Sequence, residues 1–108
     1  MGGVTQALGY ALLENADYRD GVMQNPQLTN YLIPTALDTP SLDVTIVSKP
    51  YSRGPLGAKG MGELPMDIPA PAVAAAIHDA TGLFLTELPI LPERILEASS
   101  HDPAHRQR

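Results

Sequence analysis

The sequence predicts an α+β fold with about three helices and a small, mainly antiparallel sheet, made of a hairpin and one further strand. Apolar residues at helical spacing occur near the beginning, in the middle and near the end of the chain, and they favour the helices. A hairpin signal and a segment of period two lie between them and favour the sheet. At 108 residues the chain is predicted to form a single domain, 1–108.

The first predicted helix spans residues 2–14. Val4, Leu8, Ala11 and Leu12 share one of its faces, because they recur at the spacing of an α-helix. The helix starts almost at the first residue, so we expect its first turn to pack against a partner.

The sheet is predicted from the next part of the chain. Asp20-Gly21 is typical of a two-residue hairpin turn. Prolines interrupt residues 31–40, so this stretch is expected to lie on a surface rather than in a ladder. Residues 42–49 alternate in the period of a half-buried strand and supply the further strand.

Two more helices are predicted in the second half. Residues 69–81 begin with prolines that a first helical turn tolerates, and Gly82 follows as a stop signal. The alanines of this helix leave a slim surface, which we expect to pack against another chain. A last helix opens at Pro92.

The tail, residues 99–108, is predicted to be disordered. His101 and His105 are four apart, a spacing that can bind a metal on a helix. Pro103 interrupts that helix, so no metal site is predicted.

Composition disfavours several classes of partner. Seven basic and twelve acidic residues give a net charge of −5, which disfavours nucleic acid and anionic membrane surfaces. The absence of cysteine excludes disulfides, thiolate nucleophiles and Cys-ligated metals. There is neither a membrane-length apolar run nor the order of a secretion signal. We therefore expect a cytoplasmic protein.

The chemistry is expected in GPLGAKGMGELP, residues 54–65. Glycines supply positive φ and close backbone approach, and consecutive N–H groups can bind polarised atoms. Pro65 restricts Leu64 to an extended conformation, so the carboxylate of Glu63 can be aimed as a general base. On the glycine spacing alone, a surface turn with a solvated acid remains the favoured interpretation.

Several motifs in the same order carry a family resemblance. They read GGxxQxxGYALLE, a DG turn, NxxLTNYLIPTALDTP, a strand, GPxGAKGMGELP, PAPAVAAAIxDATG and TELPILPERIL. From residue 2 to about residue 96, the chain resembles the C-terminal part of the molybdopterin-binding large subunit of the xanthine dehydrogenase and aldehyde oxidase family.

The resemblance implies roles for six residues. Glu63, the acid of K-x-x-G-E-x-P, is implied to be the general base. Lys59, Gly60, Met61 and Gly62 are implied to lie against the pterin cofactor. Gln6 is implied to hydrogen-bond the pterin, although from the residues alone it is interpreted as an exposed helix position.

The implied reaction is oxidative hydroxylation of an aldehyde or N-heterocycle, with water as the oxygen source. Its cofactor is a molybdenum-pterin group, either molybdopterin or the cytosine dinucleotide form. The implied partners are the remainder of the molybdenum-binding subunit, iron–sulfur and flavin subunits or domains, and a small-molecule substrate.

Three interpretations remain open for the chain itself. It is a separate or truncated segment that joins a larger partner, a domain that keeps the fold without the chemistry, or a scaffold module acting by protein association. In the first case the isolated chain is expected to be inactive, to bind no cofactor and to self-associate.

Overall fold

The computed structural model describes residues 1–101. In chain order, this part of the protein contains α1 (Gly2–Leu12), β1 (Tyr18–Arg19), β2 (Val22–Met23), a 3-10 turn (Pro55–Gly57), α2 (Leu64–Asp67), α3 (Pro69–Thr81) and α4 (Pro92–His101). Three helices of ten or more residues and a two-stranded antiparallel sheet confirm the predicted α+β class.

The helix ends follow from local sequence. α3 carries proline in its first turn and stops at Gly82, whose φ of 77° is left-handed and whose N–H donates to His78 O at 2.7 Å. α1 ends at Leu12, two residues before the predicted end. The N–H groups of Leu13 and Glu14 both donate to Gly9 O, which closes the helix.

The core lies where α1 packs against α2 and α3. Ala7 and Ala11 are fully buried there. The apolar face predicted for α1 is only partly the buried one, because Leu8 and Leu12 on that face are half-buried. Small side chains four residues apart let α1 approach α3 closely, but in α3 only Ala70 is buried, and Ala72, Ala75 and Ala76 are exposed. The expectation that this alanine surface packs against another chain stays a prediction.

The hairpin is confirmed at the predicted turn. Asp20 and Gly21 have φ of 50° and 77°, and β1 pairs antiparallel with β2. The Asn25 side chain holds its base: Oδ1 accepts from Asp17 N–H at 3.0 Å, and Nδ2 donates to Asn15 O at 2.6 Å.

Residues 31–40 lie over α1, as the prolines predicted. A side chain at Gly9 would overlap the ring of Pro34. The hydroxyl of Tyr31 donates to Glu14 Oε2 at 2.7 Å, which ties this stretch to the residues just after α1.

The predicted strand at residues 42–49 is wrong for the chain as described. This segment is assigned to no strand, and residues 43–50 are exposed on both alternating faces. A strand needs a neighbour for its backbone groups, and the hairpin strands are only two residues long.

The other end of the chain also differs from the prediction. α4 continues through residues 99–101, which had been assigned to the disordered tail. Residues 102–108, including His105, lie outside the described residues, so the remainder of that prediction stays open. No helix within residues 1–101 is long and apolar enough to cross a bilayer.

The chain buries little of its surface. Its accessible surface is 8831 Å², whereas a compact monomer of 11.5 kDa exposes about 5,800 Å². Its radius of gyration is 18.0 Å, compared with about 13 Å for a compact domain of this length. Both quantities indicate a fold that leaves large surfaces uncovered.

Candidate functional site

The first half of the glycine-rich loop is a tight, hydrogen-bonded turn. Gly54 N–H donates to Tyr51 O, and Tyr51 N–H donates to Gly57 O, both at 3.0 Å. Leu56 and Gly57 have φ of 52° and 80°, so the positive φ expected of this loop occurs here. Leu56 is a non-glycine residue in the left-handed region, a conformation that costs free energy.

The second half, residues 59–62, makes no backbone hydrogen bond with the described part of the chain. Gly60 and Gly62 do not have positive φ, contrary to the expectation for this loop. A Cβ at either glycine would meet no atom within 4 Å. Neither the backbone conformation nor the packing inside the chain therefore requires glycine at these two positions.

Glu63 directly precedes α2 and is exposed. Its backbone carbonyl accepts from Met66 N–H at 2.7 Å, whereas its side chain makes no capping hydrogen bond. The carboxylate is therefore available to an external group. The predicted extended conformation of Leu64 is wrong, because Leu64 opens α2 with Pro65 in a position where a first helical turn tolerates proline.

A concave surface runs along the loop. We call it the loop groove: its volume is about 460 Å³, with residues 46–50 on one side and residues 56–61 and Leu64 on the other. Lys59, Gly60 and Met61 line it. A second hollow of about 480 Å³ on the Tyr51 side shares Lys59 and Gly60. The exposed loop thus has open space on both sides.

Gln6 lies on α1, which packs against α2, the short helix that follows Glu63. Pro65 packs so closely on Gly3 that a Cβ at Gly3 would overlap its ring. Gln6 follows Gly3 by three residues and is exposed on α1. The first turn of α1 therefore lies beside α2, and no hydrogen bond joins Gln6 to Glu63 in the described residues.

Two features of this arrangement were missed in the sequence. The wall of the loop groove formed by residues 46–50 depends on how distant segments meet, which no local motif reports. The contact between α1 and Pro65 of the loop did have a signal in the sequence. Gly3, Ala7 and Ala11 are small residues spaced four apart, a pattern that lets another segment pack closely on a helix. Within residues 1–101, no group of three His, Asp or Glu residues is placed to hold a metal ion.

Known proteins match this chain in sequence and in fold. A model of the molybdopterin cofactor-binding domain matches residues 1–40, a range that includes Gln6 and ends before the loop. A probable xanthine dehydrogenase subunit of Bacillus subtilis strain 168 is 37% identical over 97 residues, 90% of this chain and 13% of the relative. The aldehyde oxidoreductase of Megalodesulfovibrio gigas is 40% identical over 98 residues, 90% of this chain and 10% of the relative.

A solved structure agrees with these matches. The crystal structure of quinoline 2-oxidoreductase from Pseudomonas putida 86 superimposes with a TM-score of 0.86 and 40% sequence identity, covering 94% of this chain and 14% of that one. This chain therefore spans only 10 to 14% of the length of the relatives it matches.

Proposed function

Because the chain belongs to the xanthine dehydrogenase and aldehyde oxidase family of molybdopterin-binding proteins, we propose that it supplies part of a molybdenum hydroxylase site. In this proposal Glu63 is the general base, and the residues around it contact the cofactor. The reaction is oxidative hydroxylation of an aldehyde or N-heterocycle, with water as the oxygen source. The matched relatives are named for xanthine, aldehyde and quinoline oxidoreduction, which supports this substrate class.

The observation that supports the proposal is the position of Glu63, an acid without a described partner, next to a backbone that has no side chain at Gly60 and Gly62. Gly60 and Gly62 face open space, and no packing contact inside the chain explains them. Glu63 adds an exposed carboxylate that takes no part in capping α2. A flat organic group lying against the loop would account for both the glycines and the free acid.

The residues fit a molybdenum-pterin cofactor. Gly60, Met61 and Gly62 would hold it through backbone contacts, because a Cβ at either glycine would project into the space that the group needs. Gln6 offers an amide that can donate and accept hydrogen bonds, and Lys59 places a positive charge on the loop groove. When bound, the cofactor supplies two-electron oxidation of the substrate carbon.

The chain's own residues then orient and move a proton. The Glu63 carboxylate accepts the proton that is released as water-derived oxygen is transferred to the substrate. α2 would orient that carboxylate, because Glu63 directly precedes this helix and its backbone carbonyl accepts from Met66 N–H.

The site is completed by protein outside this chain. We propose the remainder of a molybdenum-binding subunit as the direct partner, with iron–sulfur and flavin subunits or domains as the route for electrons. The large uncovered surface supports this, since the chain exposes far more area than a compact domain of its mass. The isolated chain is accordingly proposed to be inactive and without cofactor.

A second candidate function is association without catalysis. The exposed apolar side chains favour it, since Ile46, Val47 and Leu37 are each at least 87% exposed. A scaffold that acts by association alone has no need of glycine at 60 and 62, so the two functions differ in what those positions do.

Co-production of the chain with the remainder of a molybdenum-binding subunit tests both functions. We expect an assembly that contains molybdenum and pterin and hydroxylates a heterocycle or an aldehyde. Glu63→Gln should leave the assembly and its molybdenum content unchanged and lower turnover on the order of 100-fold or more, since general-base catalysis contributes that much.

Asp67→Asn is the matched control, because Asp67 is an exposed acid one helical turn further on. It should turn over like the wild type. Equal turnover of the Glu63 variant would remove Glu63 from the reaction. An assembly that forms without molybdenum or pterin would reject the catalytic function and support the scaffold function.

A further inference from the structure

Residues 41–50 belong to no regular element and have no backbone hydrogen-bond partner in the described part of the chain. None of their N–H or C=O groups hydrogen-bonds to any part of residues 1–101. Backbone polar groups in folded proteins are nearly always paired, either within the protein or with water. This segment is therefore a row of donors and acceptors open to another molecule.

The composition of the segment is that of a strand rather than of a loop. Val44, Thr45, Ile46 and Val47 are β-branched residues, which are enriched in strands and uncommon in turns. Ile46 and Val47 are adjacent, so a strand would place them on opposite faces, and each is 87% exposed. Apolar side chains exposed on both faces, together with an unpaired backbone, are typical of a strand that lacks its neighbour.

We propose that residues 42–49 add as a strand to the edge of a β-sheet in the part of the molybdopterin-binding subunit that lies outside this chain. The inference rests on the proposed function and goes beyond it by naming the contact that joins the two parts. Such strand addition takes its affinity from main-chain hydrogen bonds and its specificity from alternate side chains.

The length of the relatives supports this choice of partner. In the quinoline 2-oxidoreductase the matched fold, at a TM-score of 0.86, accounts for only 14% of the chain, so most of that protein lies outside the matched part. The chain's own hairpin cannot serve as the neighbour, because β1 and β2 have two residues each and already pair with each other.

Strand addition would also organise the candidate site. Residues 46–50 form one wall of the loop groove, opposite Lys59, Gly60 and Met61. Pairing at residues 42–49 would fix that wall relative to the loop. The contact between the two parts of the subunit thereby fixes the shape of the surface proposed to hold the cofactor.

Hydrogen exchange of the assembly of this chain with the remainder of the subunit tests the inference. We expect alternate amides within residues 43–49 to exchange on the order of 100-fold more slowly than their intrinsic rates, as hydrogen-bonded strand amides do. The N–H groups that alternate with them should stay fast, because an edge strand pairs on one side.

Proline substitution provides a second readout. The N–H groups of Thr45 and Ile46 point to opposite sides of an extended chain. Of the variants Thr45→Pro and Ile46→Pro, we expect one to weaken assembly by about tenfold relative to its alanine counterpart, because it removes a ladder hydrogen bond. The other proline variant should match its alanine counterpart.

Each remaining outcome overturns the inference. Fast exchange throughout residues 43–49 in an assembly that forms and binds molybdenum would reject the strand and keep the proposed function. Failure to assemble at all would reject both. Protection already present in the chain alone and unchanged on assembly would assign the segment to a second copy. Equal losses at both proline variants would place it between two strands rather than at an edge.

Discussion

The glycines of this chain fall into two groups, those that the packing of the fold requires and those that it does not. Gly3 and Gly9 are explained by their neighbours, since a side chain at either position would overlap Pro65 or Pro34. Gly60 and Gly62 have no such neighbour. The same residue type thus serves the fold in α1 and, in our proposal, a ligand in the loop.

Alanine substitution should separate the two groups. Gly60→Ala and Gly62→Ala should change the free energy of unfolding by less than about 1 kcal/mol, because the added methyl group meets no atom of the chain. In the assembled subunit both should lower the molybdenum and pterin content. Denaturant unfolding and metal analysis measure the two effects.

Gly3→Ala is the control for this comparison. It should cost about 1–3 kcal/mol, because the methyl group must displace the ring of Pro65. Full cofactor content in both loop variants would contradict the role proposed for these glycines.

Tyr31 makes the pH-dependent contact between residues 31–40 and the end of α1. Its hydrogen bond to Glu14, together with desolvation and the nearby charge, raises the pKa of the phenol above its usual 10.0. The folded state therefore favours the protonated phenol. The contribution to stability is fully present below the unfolded pKa and is lost as pH rises through the folded pKa.

We expect the Tyr31 ring to titrate above pH 10.0 in the folded protein. Glu14→Gln should lower that midpoint towards the usual pKa, because the charged acceptor is gone. Carbon NMR of the tyrosine rings measures both midpoints. An unchanged midpoint in the variant would show that the bond to Glu14 does not hold the phenol.

Local sequence signals were sufficient to predict those structural elements whose stabilising contacts lie within a few residues of the chain. The Asp20-Gly21 turn, the prolines of α3 and the stop at Gly82 each act within a few residues, and each was predicted. The strand at 42–49 was predicted from its alternating pattern, but the described residues offer it no neighbouring strand, and the structure shows none there. The roles of Glu63 and its neighbouring glycines stay a prediction from the loop motif and the family resemblance, whereas the wall of the loop groove depends on long-range packing.

The side chain of Asn25 stabilises the base of the hairpin through its hydrogen bonds. Asn25→Ala should destabilise the protein by about 1–2 kcal/mol, because it removes the hydrogen bonds to Asp17 N–H and Asn15 O. Asn30→Ala is the control, since the Asn30 side chain accepts only a local turn bond from Gln27 N–H. Thermal unfolding compares the two, and an equal loss in both would contradict the role of Asn25.

The whole molecule has a core too small for its exposed apolar surface. Only five apolar side chains in the described part are buried, and three of them are alanines: Ala7, Ala11, Ala70, Leu83 and Ile90. Small chains with so little buried surface gain stability by association. The small core therefore supports the proposal that this chain joins a larger protein.

Sedimentation velocity tests this view of the isolated chain. We expect self-association that grows with concentration, because exposed apolar surface is covered in that way. Addition of the remainder of the subunit should replace it with one defined complex. A clean monomer at all concentrations, with no binding of an apolar dye, would instead indicate a self-sufficient domain.

In the proposed reaction the carboxylate of Glu63 accepts the proton released in the hydroxylation step. The most direct test of this role is the anaerobic single-turnover rate at which substrate reduces the assembled protein, measured for wild type and Glu63→Gln at equal molybdenum content. We predict a rate lower on the order of 100-fold in the variant, with Asp67→Asn unchanged. Equal rates for wild type and Glu63→Gln would contradict the claim.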